Sequence, residues 1–421
     1  MDQTARIISI YAADTSGFCS ALYEYGGMTV IHDASGCNST YTTHDEPRWY
    51  SMDSMMYISG LTESDAVMGN DEKFISDLCL AAEELKPAFI AICASALPAM
   101  VGIDMEAIAY EVETRTGIPA FEVKTNAMQS YITGAGNAFL ELAKRFTKPV
   151  PKRKNSDNTK AELKVNILGL TPLDFPLHGT CEAMLDWLEK HGHTINSYVG
   201  MHPGKKHFTN TASSNDLSNN LDEIKRLTDA DVNLVVSSIG MALAEYLYKE
   251  YGIPYVIGAP YGEAFSELLE KALRKAYITG TNINAAKLYH PCGSRVAIIG
   301  ESITAASLAA AIYAEFHIPV RVLESVGDGE MSVLNARNTS EMTQEDALDD
   351  ISCSEEEELE NEIQKSDIII ADPLFEPICR GKVFIRLPHM AFSGRCFTKE
   401  EMHLINKSLR SIDAFNNTLH L

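Results

Sequence analysis

The stretch "PAFIAICASALPAMVGIDMEAIAYEVETRTGIPAFEV", from Pro87 to Val123, decides the fold class because its pattern occurs three times in the chain. An apolar run is followed by a small-residue turn, an amphipathic stretch, a Gly-Ile-Pro break and a second apolar run. The same order extends from Val232 to Gly258 and from Arg295 to Glu324, where the break reads His-Ile-Pro. Such self-similarity indicates one supersecondary unit used repeatedly.

Each repeat predicts a strand, a helix and a second strand. The glycine ends the helix, and the proline prevents its continuation. The runs Ala88–Cys93 and Val296–Gly300 are apolar throughout, as is typical of parallel strands that are covered on both faces. Right-handed crossovers connect such strands, so each repeat is a βαβ unit. We therefore predict an α/β protein of three Rossmann-like domains built on parallel sheets.

Two polar stretches set the predicted boundaries of these domains. Thr147–Lys164 is basic and contains proline, which is typical of a linker, and the second boundary falls near Leu288–Arg295. The predicted domains are 1–150, 151–290, and 291–421 with C-terminal helices. The turn after the first strand of the third repeat reads GESITA, which lacks the full G-x-G-x-x-G pattern of dinucleotide sites.

Composition and charge exclude several classes of protein. The 421 residues carry a formal charge of −23, which disfavours nucleic acid and anionic lipid as partners. Met1–Tyr11 lacks the pattern of a secretory signal, and no apolar run approaches the roughly 18 residues of a membrane span, so neither secretion nor membrane insertion is expected. The nine cysteines, an odd number, favour reduced thiols in the cytoplasm.

Three cysteines fall at predicted turns of the first domain. Cys93 ends the strand of the first repeat, Cys37 follows the apolar run that begins at Met28, and Cys19 follows Thr-Ser-Gly. Gly36 would let the backbone approach a ligand closely. Ligands of open α/β sheets bind beyond the carboxyl ends of the strands, so the three thiols could meet at one edge.

The spacing of these cysteines does not decide between two interpretations. The intervals of 18 and 56 residues do not match a zinc knuckle. Iron–sulfur clusters are held by thiolates whose positions need not be close in sequence. On spacing alone, a shared metal site and three unrelated buried cysteines both stay open.

The segment "GFCSALYEYGGMTVIHDASGCNSTYTTHDEPRW", from Gly17 to Trp49, resembles the N-terminal region of the nitrogenase component 1 superfamily. That region has a cysteine followed by a V-I-H-G-P-x-G-C signature. Ile58–Phe74 and Ile92–Val123 resemble later conserved segments of the same family, and "YLYKEYGIPYV" and "RVAIIGE" fit its second and third domains. The order of the three cysteine segments is the strongest part of this resemblance, which covers nearly the whole chain.

The resemblance implies a site, a cofactor and partners. By position, Cys19, Cys37 and Cys93 would hold an iron–sulfur cluster, either 4Fe-4S or a larger P-cluster-like group, with Gly36 beside it. Such a cluster lies at a subunit interface of a homo- or hetero-oligomer formed with a paralogous nitrogenase-like subunit. It receives electrons from an ATP-dependent iron protein, and the substrate or cofactor lies between the domains.

The chain also departs from the family pattern. Asp33 and Ser35 occupy positions where glycine and valine-like residues are usual, and the interval from Cys19 to Cys37 is shorter than in nitrogenase. The segment "NLVVSSIGMALAEY" lacks the cysteine that binds the molybdenum–iron cofactor, and His389 is one residue out of step with the cofactor histidine. Dinitrogen reduction by this chain alone is therefore not expected.

Three functions follow as hypotheses. The first is an oxidoreductase subunit of a nitrogenase-like reductase, in which His389 contacts substrate or delivers a proton, although a structural role is equally open. The second is a non-catalytic scaffold for metallocofactor assembly, and the third a sugar- or nucleotide-binding Rossmann protein with incidental cysteines. Thr171–Phe175 and Ser237–Gly240 are weaker cleft candidates, and Thr43–Trp49 predicts a partner surface or a solvated helix cap.

Overall fold

The computed structural model describes residues 6–11, 13–34, 36, 46–152, 161–203, 214–289, 293, 295–326, 351–352 and 356–419. The chain forms two compact units. The cysteine unit comprises residues 12–148 and 200–226, and the two-sheet unit comprises residues 1–11, 149–199 and 227–421.

Helices and strands alternate along the chain. The helices are α1 (Asp14–Leu22), α2 (Glu63–Met68), α3 (Asp71–Leu85), α4 (Ala96–Val101), α5 (Met105–Thr116), α6 (Tyr131–Phe146), α7 (Thr180–Lys190), α8 (Ser214–Lys225), α9 (Met241–Tyr251), α10 (Glu263–Thr279), α11 (Ala285–Leu288), α12 (Ser302–Phe316), α13 (Glu356–Ile363), α14 (Met390–Ser393) and α15 (Asp413–Leu419). The strands are β1 (Met28–His32), β2 (Met55–Ile58), β3 (Ile90–Ala94), β4 (Ala120–Glu122), β5 (Lys164–Leu170), β6 (Thr194–Gly200), β7 (Val232–Val235), β8 (Tyr255–Ile257), β9 (Ile283–Asn284), β10 (Val296–Glu301), β11 (Val320–Val326), β12 (Ile351–Ser352), β13 (Ile368–Ala371) and β14 (Val383–Arg386). None of the helices in the described ranges is long and apolar enough to span a bilayer.

The cysteine unit is built on a parallel sheet in the order β2-β1-β3-β4. Strand β1 pairs with β3 in a register that sets Ile31 opposite Cys93. Helices α3 and α5 cover one face of this sheet, and their residues Leu78 and Ile108 pack in a core with Val30 and Ile92. Full burial of such side chains contributes about 1.5–3 kcal/mol each, which holds the strand ends in place.

The two-sheet unit contains two further sheets, in the orders β6-β5-β7-β8-β9 and β12-β11-β10-β13-β14. Strand pairs β5–β7, β7–β8 and β8–β9 are parallel in the first, as are the pairs of the second. The prediction of an α/β fold with parallel sheets is therefore confirmed. The predicted domain boundaries stay predictions.

The three sequence repeats are three βαβ units. Strand β3 pairs with β4, β7 with β8, and β10 with β11, each in parallel. The helix before each second strand ends at a residue in the left-handed conformation, with φ of 70° at Gly117, 72° at Gly252 and 59° at His317. A proline two residues further on prevents another helical turn, so sequence and backbone agree at each break.

Candidate functional site

Two of the three predicted ligands meet in the cysteine unit. Cys19 lies in α1 and Cys93 lies one residue before the end of β3, and both thiols are buried. Helix α1 packs against β1 and β3, which brings Cys19 to the strand that carries Cys93. Two elements far apart in sequence thus deliver thiols to the carboxyl edge of one parallel sheet, where such folds bind ligands.

Close backbone packing fixes the position of α1. A Cβ atom on Gly17 would lie 1.9 Å from the Tyr131 carbonyl oxygen of α6, and one on Gly134 would lie 1.9 Å from the Asp14 carbonyl oxygen. Only glycine at both positions allows this approach. The buried Asp14 carboxylate accepts hydrogen bonds from the backbone N–H groups of Asn126 and Ala127, each at 2.8 Å.

The expectation that Cys19 lies in a turn is wrong, because Cys19 is the sixth residue of α1. The preceding Thr15, Ser16 and Gly17 favour turns when they are taken alone. Burial of α1 against α6 outweighs these propensities, and Asp14 in the first turn complements the helix dipole.

Polar side chains surround Cys93 at the end of β3. The Thr125 side chain hydrogen-bonds Cys93, and its hydroxyl donates to the Ala94 carbonyl at 2.6 Å. Asp33, just after β1, accepts a 2.6 Å hydrogen bond from the Ser95 hydroxyl, and both residues are buried. The strand end is therefore held by side-chain bonds from β1, β3 and the segment after β4.

Burial raises the pKa of both thiols. For Cys19 the proximity of Cys93 and of Glu46 raises the pKa further. For Cys93 the hydrogen bond with Thr125 opposes the effect of burial only in part. Both residues are therefore neutral thiols at neutral pH in the absence of a positively charged ligand.

The third predicted ligand, Cys37, lies outside the described residues. Its neighbour Gly36 is exposed, and a Cβ atom built there would meet no described atom within 4 Å. Within the described ranges, His, Cys, Asp and Glu residues form no group of three or more placed to hold a metal ion. Of the other cysteines, Cys292 and Cys353 also lie outside, and the free thiols are Cys79, Cys181, Cys379 and Cys396.

A second polar site lies within the two-sheet unit, beyond the carboxyl ends of its strands. Asp174 after β5, Tyr261 after β8 and Asp372 after β13 line a cavity of about 50 Å³ together with His389. The Ser237 hydroxyl, which follows β7, donates a hydrogen bond to the Asp174 carboxylate. The stretches that contain Asp174 and Ser237 thus follow strands, as the sequence predicts.

His389 faces this cavity without a hydrogen bond to its ring. Among the described residues neither ring nitrogen has a hydrogen-bond partner, although Nε2 lies 3.4 Å from Oδ1 of Asp174. The ring packs on Phe392, with centroids 4.7 Å apart. Burial lowers the pKa of His389 to about 3, so the imidazole is neutral at neutral pH and offers one donor and one acceptor.

Two carboxylates at the strand ends organise the walls of this site. Oδ2 of the buried Asp372 accepts hydrogen bonds from the His389 N–H and the Ser393 hydroxyl, both at 2.7 Å. Glu301 accepts from the backbone N–H groups of Ile303 and Thr304, at 3.0 and 2.9 Å, and caps α12. Sequence reasoning missed both residues, although each is an acidic residue at the end of an apolar run, a recognisable cap signal.

The interpretation of Thr43–Trp49 as a solvated cap or partner surface is wrong for two of its charged residues. Residues 43–45 lie outside the described ranges, but Glu46 and Arg48 are buried. They form an ion pair with an Nη2–Oε1 distance of 2.6 Å, and Glu24 pairs with the same guanidinium at 2.8 Å. Mutual charge compensation makes this burial possible, and the sequence pattern gives no sign of the distant Glu24.

Comparisons with known proteins agree with this architecture. Residues 25–371 match the family described as "Nitrogenase component 1 type Oxidoreductase". Two solved structures described as "Nitrogenase Cp1", at pH 6.5 and at pH 5, align over 100% of this chain. They cover 94% and 89% of those chains, with TM-scores of 0.63 and 0.58 at 16% and 15% identity.

Two curated relatives match parts of the chain. One polypeptide of the light-independent protochlorophyllide reductase of Prosthecochloris aestuarii is 25% identical over 186 residues, which are 43% of this chain and 30% of that protein. Nitrogenase iron-molybdenum cofactor biosynthesis protein NifE of Sinorhizobium fredii is 27% identical over 233 residues, 54% of this chain and 42% of that protein. The matches span less than half the length of either relative. The family match covers most of the chain, which therefore belongs to the nitrogenase component 1 family of oxidoreductases.

Proposed function

We propose that this chain is the cluster-bearing subunit of a nitrogenase-like reductase. Cys19, Cys37 and Cys93 hold an iron–sulfur cluster that accepts electrons from an ATP-dependent iron protein, in the cytoplasm, for reduction of a substrate between the domains. The observation that carries this proposal is the meeting of Cys19 and Cys93 as two buried thiols at one sheet edge.

The chemistry of the donors fits an iron–sulfur cluster. Cysteine thiolates are the usual ligands of such clusters. Because burial raises the pKa of both thiols, a group that replaces their protons must bring compensating positive charge, as iron does. When bound, the cluster would take up and pass on single electrons. Asp33 and Thr125, held by hydrogen bonds beside Cys93, would shield this site from water.

Exposed apolar side chains near the same edge support a subunit partner. Met68 in α2 is 78% exposed and Met100 in α4 is 81% exposed, and these helices follow β2 and β3. Leu97 and Val101 of α4 are also exposed. Apolar surface of this kind marks interaction sites, and we propose that a second copy or a paralogous subunit covers it.

His389 is the proposed substrate contact in the two-sheet unit. A neutral imidazole with free ring nitrogens can donate a hydrogen bond to a bound substrate through N–H. Proton delivery requires the imidazole to be charged, and a negatively charged intermediate in the cavity would favour that form. Asp174, 3.4 Å from Nε2, would stabilise the same charge.

Anaerobic reconstitution of the full chain with iron and sulfide tests the proposal. Wild-type protein should turn brown and bind iron stoichiometrically, with an EPR signal after reduction. Cys37→Ala and Cys93→Ser should each lose at least half of the iron, whereas the buried Cys379→Ser, in the other unit, should retain all of it. Colourless, iron-free wild-type protein would contradict the proposal and favour a Rossmann protein with incidental cysteines.

A non-catalytic scaffold for cofactor assembly is the second candidate. The similarity to the cofactor biosynthesis protein covers 54% of this chain, more than the 43% for the reductase polypeptide. Both candidates hold a cluster, so iron content does not separate them. Turnover with the iron protein, ATP and candidate substrates does, because a scaffold carries the cluster and reduces nothing.

A further inference from the structure

A buried guanidinium lies beside the helix that carries Cys19. Arg48 exposes only 2% of its side chain, and its two partners Glu24 and Glu46 expose 3% and 0%. Nη1 lies 2.8 Å from Oε1 of Glu24, while Nε and Nη2 lie 2.8 and 2.6 Å from Oε1 of Glu46. All three charges are thus removed from water and depend on one another.

The same guanidinium reaches the backbone of α1. Nη2 of Arg48 donates to the Ser20 carbonyl at 2.7 Å and to its hydroxyl at 3.2 Å, and Ser20 directly follows Cys19. The guanidinium also stacks over the Tyr23 ring at 4.6 Å, and the Tyr23 hydroxyl donates to the Met52 carbonyl at 2.7 Å. Residues 46–52 are therefore bound to α1 at the turn that contains Cys19.

The charges of this cluster do not cancel among its three members. Two carboxylates face one guanidinium, and the remaining oxygen of Glu24 accepts a 3.1 Å hydrogen bond from the His202 N–H and lies 3.0 Å from its Nδ1. Glu223 faces His202 from α8, with 3.8 Å between Oε2 and Nε2. Desolvation of buried ions costs several kcal/mol each, so a cluster of this kind contributes little net stability compared with apolar packing.

We propose that Arg48 is a positioning residue for the thiol site, and that Glu46 sets the negative potential felt by a cluster bound there. The inference rests on the proposed function. Arg48 fixes the turn of α1 that carries Cys19 through the Ser20 carbonyl. Glu46 adds buried negative charge near Cys19, which disfavours the more negative, reduced form of a cluster and holds its reduction potential low.

Two near-isosteric substitutions separate these roles. Glu46→Gln keeps a side-chain acceptor for Arg48 but removes the charge. We expect iron content equal to wild type and a midpoint potential shifted to more positive values. In Arg48→Lys the ammonium lacks the planar fork that binds two carboxylates and a carbonyl together. We expect at least a twofold loss of bound iron and altered g-values in the EPR spectrum of the reduced protein.

Arg115 provides the matched control, because it also binds two glutamates, Glu72 and Glu111, but on the surface of the same unit. Arg115→Lys and Glu111→Gln should leave iron content, EPR spectrum and midpoint potential unchanged. The measurements use the full reconstituted chain, with redox titration followed by EPR.

The outcomes distinguish this inference from the proposed function. Wild-type protein that binds no iron overturns the proposed function and this inference with it. If the wild type holds a cluster, but Arg48→Lys and Glu46→Gln lower only the thermal stability and leave the EPR spectrum and potential of the loaded protein unchanged, this inference alone is overturned. In that case the buried ions are structural.

Discussion

The thiol site and the cavity of the two-sheet unit lie at the same place in their folds, beyond the carboxyl ends of parallel strands, but they are held differently. At the thiol site, backbone contacts at Gly17 and Gly134 seat a whole helix. In the cavity, single carboxylates such as Asp372 hold the backbone of the next segment. The first site is specified by the absence of side chains and the second by their presence.

This difference determines what each site tolerates. A backbone contact at van der Waals distance has no room for even one methyl group, and the helix must move as a body if one is added. A carboxylate cap can be removed at the cost of a few hydrogen bonds while the strand stays in place. The thiol site should therefore fail abruptly on substitution, and the cavity gradually.

Gly17→Ala should produce the largest effect. Alanine favours a helix over glycine by up to about 1 kcal/mol, but its Cβ would lie 1.9 Å from the Tyr131 carbonyl oxygen, so α1 must leave α6. We expect a loss of about 3 kcal/mol in the free energy of unfolding. Urea unfolding followed by circular dichroism measures it.

Gly36→Ala is the control for this substitution. A Cβ there meets no described atom within 4 Å, so the change should stay within about 0.5 kcal/mol. Equal stability of Gly17→Ala and wild type would show that α1 adjusts without cost, and the proposed contrast between the two sites would be wrong.

Asp372→Ala should have an intermediate effect. It removes the acceptor of three hydrogen bonds, from the N–H groups of Leu374 and His389 and the Ser393 hydroxyl, in a buried position. We expect about 2 kcal/mol of destabilisation, measured by urea unfolding. Asp104→Ala, which removes an exposed N-cap with one bond to Ala107, should cost about 1 kcal/mol or less. Equal losses would mean that burial does not strengthen the Asp372 cap.

The sequence predicts the strand ends well because parallel strands are marked by local patterns. The repeats give the order strand, helix, strand, and so place Cys93, Asp174 and His389 at strand ends. The helix that carries Cys19 could not be predicted, because its formation depends on contacts with α6, more than a hundred residues away. For the same reason Arg48 was assigned to the surface, since Glu24 and Glu46 become its partners only in the folded chain.

His389 should make stability depend on pH. Burial lowers the pKa of its imidazole to about 3 in the folded protein, while the unfolded value is about 6.5. Between these values the unfolded chain binds the extra proton, so stability falls as pH falls, by up to about 1.4 kcal/mol per pH unit. His389→Phe should remove this slope from unfolding curves measured between pH 4 and 7. An unchanged slope would indicate that Asp174 keeps the imidazole charged in the folded protein.

The smallest effect is expected at the helix ends of the repeats. The repeat of the cysteine unit ends its helix with Gly117, whereas the last repeat of the two-sheet unit uses His317, although φ is positive at both, 70° and 59°. His317→Gly should relieve roughly 1 kcal/mol of left-handed strain. The greater freedom of glycine in the unfolded chain offsets part of this gain, by about 0.4–1 kcal/mol.

The exchange in the other direction tests the cause. Gly117→His places a side chain in open space, since a Cβ there meets nothing described within 4 Å, so any loss arises from backbone conformation alone. We expect a loss of about 0.5 kcal/mol for Gly117→His and a gain of similar size for His317→Gly, both measured by urea unfolding. If neither exchange changes stability, the left-handed residue does not limit these helix ends. The proline two residues later then ends the helix in both units, because it cannot join a further turn.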